Sequence, residues 1–215
     1  MFYACASGKQ TLDQGDDGGN PFASSLIAIL ERPRIRLGEL PVALQELTSK
    51  KSGGFQSADV PKDMPSPDWL LIPSSTLEKR IALVLVVSDY SPPGSQSLQS
   101  LPGAKNDAKR IAAALAKAGF DTDLALDFDL PMMRQKLTAF ATKAADCDAA
   151  IIYTTGHGVQ TSGSVYLLPG DYPIKQQNAA LMRRAIRLSE IADAVRAKRI
   201  NLVFYGGCRD DPFRQ

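Results

Sequence analysis

Histidine and cysteine are scarce in this 215-residue chain, and their scarcity narrows the chemistry that it can perform. There is one histidine, His157, so any reaction that needs an imidazole must use that residue. The cysteines, Cys5, Cys147 and Cys208, form no close pair of the kind that structural zinc sites use, so we expect no bound metal. Their odd number favours a reducing compartment.

Strong net charge and long apolar runs are also missing. The formal net charge is +2, with basic side chains scattered along the chain, which argues against a nucleic-acid or membrane-surface protein. No apolar run approaches the roughly 20 residues that span a bilayer, and Met1 is not followed by a signal-peptide pattern. We therefore expect a cytoplasmic protein that binds neither nucleic acid nor membrane.

Apolar strands alternate with amphipathic helices between about residues 79 and 205. The segment 81–89 is too continuously apolar for a half-exposed strand, which indicates a parallel strand buried on both faces. Further strands are predicted at 121–129, 148–158 and 200–208. Helices are predicted at 106–120, 131–144 and 188–199, the last capped by Ser189 after an irregular segment. The alternation predicts an α/β fold with a mostly parallel central sheet.

The first 60 residues repeat this pattern on a smaller scale. A strand is predicted at 2–6, followed by a Gly/Asp-rich loop at 8–19 and a helix that begins at Asn20 and Pro21. A second helix is predicted at 39–48, and from there to about residue 75 the composition is typical of a linker. We expect one domain over residues 1–215, divided into regions 1–60, 61–78 and 79–215.

His157 and Cys208 each follow a predicted strand in a glycine-rich turn. Ligands bind at the carboxyl edge of open α/β sheets, so the two side chains are expected to meet there, with Cys208 as nucleophile and His157 as its base. The backbone amides of Gly158 and Cys208 are the candidate donors to an oxyanion. Taken singly, a lone histidine or a lone cysteine is more often a structural residue.

Residues 81–213 resemble the large-subunit region of the caspase-like cysteine peptidases (peptidase C14-type), in particular the metacaspase and bacterial caspase-like branch. The matching segments are ALVLVVSDY, LPGAKNDAKRIAAALAKAGF, IIYTTGHGV, VYLLPGD and NLVFYGGCRDDPF, and the histidine precedes the cysteine by about 50 residues as in that family. The resemblance implies a three-layer α/β/α sandwich and a cysteine endopeptidase acting on protein or peptide substrates.

The first 30 residues resemble the small-subunit region of the same family, which in ordinary members follows the catalytic cysteine. The segment YACASGKQTLDQGDDGGNPFASSLIAIL instead precedes the large-subunit-like region, which predicts a circularly permuted order. The strand at 2–6 is then expected to pair beside the strand that carries Cys208. Sheets are held by pairing between neighbours, so such a change of chain order costs little.

The resemblance also places a substrate pocket. Metacaspase-like enzymes cleave after Arg or Lys through two acidic residues, one of which matches Asp107, while the other position holds Gly206. Thr155 is expected to line the same pocket. Asp107 is equally well explained from the sequence as a helix cap.

The predictions on cofactors depend mainly on the small number of acidic residues in the loops. The loop after His157 offers only Asp171 as an acid, so we expect no cofactor and calcium-independent or weakly responsive activity. The acidic residues Asp13, Asp16 and Asp17 are interpreted as a solvated turn. We expect a monomer. The alternative function is a catalytically inactive caspase-like interaction module, favoured by the missing acid at Gly206.

Overall fold

A computed structural model of the protein describes residues 1–15, 18–73, 77–90, 98–173 and 181–210. Its central sheet has five strands in the order β1-β8-β4-β2-β3, and every neighbouring pair is parallel. These strands are β1 (Phe2–Tyr3), β2 (Arg80–Val86), β3 (Asp121–Leu126), β4 (Ala149–Thr155) and β8 (Ile200–Tyr205). The predicted α/β fold with a mostly parallel sheet is confirmed.

Helices cover both faces of this sheet. Their bounds are α1 (Pro21–Leu30), α2 (Leu40–Lys51), α3 (Pro102–Lys117), α4 (Leu130–Ala144), α5 (Leu181–Arg184) and α6 (Leu188–Ala192), with a 3-10 turn at Leu37–Glu39. Helices α1, α2 and α3 share one buried core with the sheet, and α4, α5 and α6 share a second core on the opposite face. The architecture is therefore a three-layer α/β/α sandwich.

The apolar strand β2 shows why the sheet is buried on both sides. Successive side chains on a strand point to opposite faces, and Val84 packs in the α1–α3 core while Leu83 and Leu85 pack in the other. All seven residues of β2 are buried. The continuous apolar run therefore serves two cores, as the sequence predicted.

The amino terminus forms an edge strand. Strand β1 pairs in parallel with β8, with Phe2 opposite Phe204 and Tyr3 opposite Tyr205. The Ala4 amide extends the pairing by donating to the Tyr205 carbonyl at 2.9 Å. The predicted strand at 2–6 is thus shorter than expected, but it lies where expected, beside the strand that leads to Cys208.

Three local predictions differ from the structure. The described part of the segment after His157 is not irregular throughout, because β5 (Gly158–Thr161), β6 (Ser164–Leu167) and β7 (Ile186–Arg187) form a second, antiparallel sheet. Helix α6 ends at Ala192 and its N-cap is Arg187 instead of Ser189. Helix α3 begins at Pro102, so Asp107 lies inside the helix and is not its cap.

The stretch with linker composition is packed against the domain. Helix α2 continues to Lys51, and the Gln56 side chain beyond it is fully buried. Trp69 and Leu71 belong to the α1–α3 core, and the Arg80 guanidinium lies 4.2 Å from the Trp69 ring centroid. The proposed boundaries between regions 1–60, 61–78 and 79–215 stay predictions.

Candidate active site

A cavity of about 110 Å³ opens at the carboxyl edge of the central sheet, where β4 and β8 end. It receives side chains from the amino-terminal loop, from the start of α3 and from the turns that follow β4 and β8. The residues that line it are Thr11, Asp13, Asn20, Leu101, Ala104, Thr155, Gly156, His157, Gly206 and Cys208. The predicted meeting of the imidazole and the thiol at one sheet edge is therefore what the fold produces.

The Cys208 thiol is held by the amino-terminal loop. The Thr11 amide donates to its Sγ at 3.3 Å, and the Thr11 hydroxyl lies 3.4 Å from the same atom. The side chain is half-buried. These two contacts fix the position of the sulfur in the cavity.

The His157 ring is oriented by a carbonyl and an aromatic side chain. Its Nε2 lies 2.7 Å from the Gln99 carbonyl oxygen, and its ring packs edge-on against Tyr90 with centroids 4.6 Å apart. A carbonyl oxygen only accepts hydrogen bonds, so Nε2 carries the proton and Nδ1 is the basic nitrogen. Burial lowers the pKa of His157, and the Gln99 carbonyl and the charge of Asp13 partly oppose this. The ring is therefore neutral and able to accept a proton near neutral pH.

Tyr90 also fixes the backbone at His157. Its buried hydroxyl accepts from the His157 amide at 2.7 Å and donates to the Leu168 carbonyl at 3.0 Å. The Leu168 amide in turn donates to the His157 carbonyl at 2.9 Å. Tyr90 thus bridges the start of the β5–β6 hairpin and holds the turn that carries the imidazole.

The Gly158 amide faces the segment that contains Cys208. Hydrogen-bonded and non-bonded pairs alternate along an antiparallel ladder, and the His157–Leu168 pair is bonded, so Gly158 opposite Leu167 points its N–H away from β6. Two residues further, the Gln160 amide points the same way and donates to the Asp210 carbonyl at 2.9 Å. This direction is the one that an oxyanion donor needs.

Position 158 accepts only glycine. A Cβ atom there would lie 1.7 Å from the Tyr205 hydroxyl and 2.6 Å from the Cys208 carbonyl oxygen. Side chains do not approach that closely, so a larger residue would push the two turns apart. Glycine therefore lets the histidine turn pack directly on the cysteine turn.

Only two of the three predicted substrate-binding residues line the cavity. Thr155 and Gly206 line the cavity, whereas Asp107 is not among its lining residues. The Asp107 carboxylate is fully buried, accepts from the Asn20 amide at 2.7 Å and lies 3.4 Å from an Arg110 nitrogen. Burial raises the pKa of Asp107 to about 7, although the Asn20 amide and Arg110 favour its ionised form.

Asp13 corrects the interpretation of the acidic loop as a solvated turn. Its two carboxylate oxygens accept from the Gly103 and Ala104 amides, each at 2.9 Å, at the start of α3. The residue also lines the cavity. Asp16 and Asp17, which belong to the same prediction, lie outside the described residues.

Tyr90, Thr11, Asp13 and Gln99 are site residues that sequence reasoning missed. Tyr90 carried a usable signal, because it closely follows the buried strand β2 at the carboxyl edge where sites form. Thr11 and Asp13 carried none, since their partners Cys208 and Gly103 are distant in sequence.

The described parts of the chain contain neither a cluster of metal ligands nor a membrane-spanning helix. No three His, Cys, Asp or Glu side chains among those residues come together in a way that would hold a metal ion. No helix described there is both long enough and apolar enough to cross a bilayer. Calcium independence, the monomeric state, the lack of nucleic-acid binding and the cytoplasmic location stay predictions.

Comparison with known proteins gives one finding about ancestry. A family model described as a caspase domain (peptidase C14) matches residues 79–215, which is more than half of the chain. No curated protein matches the sequence. The family is one of cysteine proteases, which agrees with a thiol and an imidazole lining one cavity. This chain therefore belongs to the caspase-domain family of peptidases.

Proposed function

We propose that this protein is a cysteine endopeptidase in which Cys208 is the nucleophile and His157 is its acid and base, with cleavage after Arg or Lys. The observation that carries the proposal is the cavity that both side chains line, at the edge of the sheet where β4 and β8 end. The proton on Nε2 of His157, set by the Gln99 carbonyl, leaves Nδ1 to accept the thiol proton.

The reaction proceeds in two balanced halves. Sγ of Cys208 attacks the scissile carbonyl carbon and its proton passes to Nδ1 of His157; the C–N bond then breaks, and the imidazolium gives that proton to the leaving amine. In the second half, water attacks the thioester carbonyl, His157 accepts a proton from it, and the thiol is restored as the carboxylic acid product leaves. The amide of Thr11 stabilises the thiolate whenever it forms.

The oxyanion is proposed to bind to the amides of Gly158 and Cys208. Support comes from the direction of the Gly158 N–H, which points away from β6 toward the Cys208–Asp210 segment. Donors that are held in place before the reaction need no reorganisation when the negative charge develops on the substrate oxygen.

The pocket for the residue before the scissile bond is proposed to lie between Thr155 and Gly206. Both residues line the cavity beside the reactive pair. Asp107, which the family pattern suggests as an acid of this pocket, lies behind the Asn20 backbone, whose amide donates to it.

We further propose that the chain is a metacaspase-like member with a permuted order. The family match begins at residue 79, yet β1 from the preceding region pairs with β8, and Thr11 reaches the Cys208 sulfur. The amino-terminal region thus occupies a place in the sheet and in the cavity that suits a small-subunit region.

The test compares the wild type with Cys208→Ala and His157→Ala on fluorogenic peptides ending in Arg, Lys or Asp. We expect turnover of the Arg and Lys peptides by the wild type and its loss, by at least about 10³-fold, in both variants. Cys147→Ala is the matched control, because this second free cysteine lies near the amino end of β4, about 20 Å along the strand from the cavity.

A wild type that cleaves no peptide and resists covalent thiol inhibitors would contradict the proposal. That result would favour the second candidate, an inactive caspase-like interaction module. The observation on its side is the pocket itself, in which Gly206 holds no acid and Asp107 is withdrawn from the lining. Partner binding unchanged by Cys208→Ala and His157→Ala would support that alternative.

A further inference from the structure

The proposed preference for a basic side chain needs a carboxylate, and the two positions that the family pattern offers do not supply one to the cavity. At Asp107, the backbone of the amino-terminal loop covers the carboxylate: the Asn20 amide donates to Oδ2 at 2.7 Å, and a Cβ on Gly19 would lie 2.0 Å from Oδ1. Arg110 is already paired with Oδ1 at 3.4 Å. A substrate cation would have to displace these partners to reach Asp107.

At Gly206 there is no space for an acid. A Cβ atom on this residue would lie 2.8 Å from the Thr155 hydroxyl and 3.0 Å from the Tyr153 hydroxyl. Both hydroxyls are carried by β4 and are buried, so neither gives way easily. The strand has filled the volume that a side chain at Gly206 would need.

Asp13 is the one carboxylate among the described residues that line the cavity. Its position is set by the start of α3, where Gly103 and Ala104 donate to one carboxylate oxygen each at 2.9 Å. Gly103 allows this approach, because a Cβ there would lie 1.9 Å from the Asp13 carbonyl oxygen. The two hydrogen bonds to the start of a helix hold the carboxylate in one place.

The Asp13 carboxylate can still accept hydrogen bonds from a ligand. An ionised carboxylate has about four acceptor positions, and the two amides of α3 use two of them. The remaining positions suit the N–H groups of a guanidinium or an ammonium. Asp13 therefore combines a fixed position, a negative charge and a place in the lining of the cavity that holds Cys208 and His157.

We infer that Asp13 is the residue that selects a cationic side chain, Arg or Lys, immediately before the scissile bond. The inference rests on the proposed function. It assigns the specificity of the site to the amino-terminal region, in place of the two positions in the family-matched region. The competing explanation is that Asp13 only caps α3.

The experiment separates these roles with paired peptides that carry Arg or citrulline before the scissile bond. Citrulline keeps the shape of arginine but is neutral. In Asp13→Asn we expect the ratio of kcat/KM for arginine over citrulline to fall by roughly ten- to hundredfold, because a charged hydrogen-bonded pair is lost. In Asp107→Asn the ratio stays at the wild-type value. Asp13→Ser, which keeps an oxygen able to cap the helix, covers the case in which the Asn variant does not fold.

Each outcome decides the inference. A cap without a role in recognition would lower the turnover of both peptides together and leave the ratio unchanged, which would overturn it. A ratio that collapses in Asp107→Asn would overturn it as well, by making Asp107 the selecting acid. Loss of the ratio in both Asp13 variants alone would support it.

Binding separates this inference from the proposed function. Calorimetry on Cys208→Ala measures affinity for the same peptides without any chemistry. Tighter binding of the arginine peptide that disappears in Cys208→Ala/Asp13→Asn supports the inference even if the wild type hydrolyses nothing. Turnover by the wild type with equal affinities for the two peptides in Cys208→Ala would overturn the inference and leave the peptidase intact.

Discussion

The two regions of the chain contribute different things to the cavity. The region matched by the caspase-domain family, 79–215, carries the thiol of Cys208, the imidazole of His157 and the amide of Gly158. The region before residue 79 lies outside the match, and it carries Thr11, which contacts the Cys208 sulfur, and Asp13, which lines the same cavity. The thiol and the imidazole thus come from the family-matched region, while the groups that position them come from both regions: Tyr90 and Gln99 contact His157, and Thr11 contacts Cys208.

The two regions pack against each other where β1 lies beside β8. Phe2 stacks on Phe204 with ring centroids 4.9 Å apart, next to the parallel pairing of β1 with β8. Arg209, which follows Cys208, pairs with Asp59 at 2.6 Å and lies 4.0 Å from the Tyr3 ring centroid. A family match that begins at residue 79 therefore describes only part of a folding unit, because the unmatched region completes both the sheet and the cavity.

The largest effect is expected at Gly158, where two turns of the family-matched region, after β4 and after β8, pack directly on each other. In Gly158→Ala the new methyl group would collide with the Tyr205 hydroxyl and the Cys208 carbonyl, which displaces the amide that we propose as an oxyanion donor. We expect kcat to fall by about 10²-fold or more with little change in KM. Steady-state kinetics on an arginine peptide measures both.

Gly163→Ala is the control for this change. Gly163 lies in the β5–β6 turn at φ 73° with no atom within 4 Å of a built Cβ, so alanine there strains the backbone but does not touch the cavity. We expect it to lower stability by about 1 kcal/mol and to keep its activity. Equal loss of activity in the two variants would disprove the role assigned to Gly158.

The next effect concerns Asp107, where the two regions meet at the Asn20 amide. The ordinary pKa of an Asp carboxyl is 3.8, and burial raises the pKa of Asp107 to about 7 in the folded protein. Between these values the unfolded chain loses a proton that the folded protein keeps, so the stability that this group contributes falls as pH rises toward 7. We expect Asp107→Asn to remove that fall and to be more stable than the wild type at pH 8, by on the order of 2 to 4 kcal/mol.

Urea unfolding at pH 4, 6 and 8 checks this expectation. The gain in Asp107→Asn should be smallest at pH 4, where both states of the wild type bind the proton most fully. Asp63→Asn is the exposed control and should leave the urea midpoint unchanged at all three pH values. A gain that is equal at all three pH values would mean that packing, and not ionisation, separates the variant from the wild type.

The strands of the sheet show how far sequence patterns reach. Strands β2, β4 and β8 are mostly apolar, and β2 is continuously so from residue 81 to residue 86; such runs indicate burial on both faces. The β5–β6 hairpin escaped prediction because its strands are four residues long and its turn is Ser162–Gly163, with φ of 47° and 73°. Asn-Gly or Asp-Gly is the stronger signal for such a turn.

The site shows the same limit at the level of single side chains. The patterns around His157 and Cys208 are local, and the rule for sheet edges brings them together. The sequence predicts a solvated Asp13, because its partner, the start of α3, lies about 90 residues away and no local pattern links the two. The family resemblance predicts Asp107 in the pocket, and no sequence pattern reports that the backbone at Gly19 and Asn20 covers its carboxylate.

The smallest effect is expected at Thr11. A substitution there tests whether the region outside the family match affects the reactivity of the Cys208 thiol. Thr11→Val keeps the amide that donates to Sγ of Cys208 and removes the hydroxyl 3.4 Å from that atom. One neutral hydrogen bond contributes about 1 kcal/mol, so we expect alkylation of Cys208 by iodoacetamide at pH 7 to slow by roughly fivefold. Thr138→Val, on the exposed side of α4, is the matched control. An unchanged rate in Thr11→Val would mean that the Thr11 hydroxyl does not affect the reactivity of Cys208. The amino-terminal loop would then act on Cys208 through its backbone amide alone.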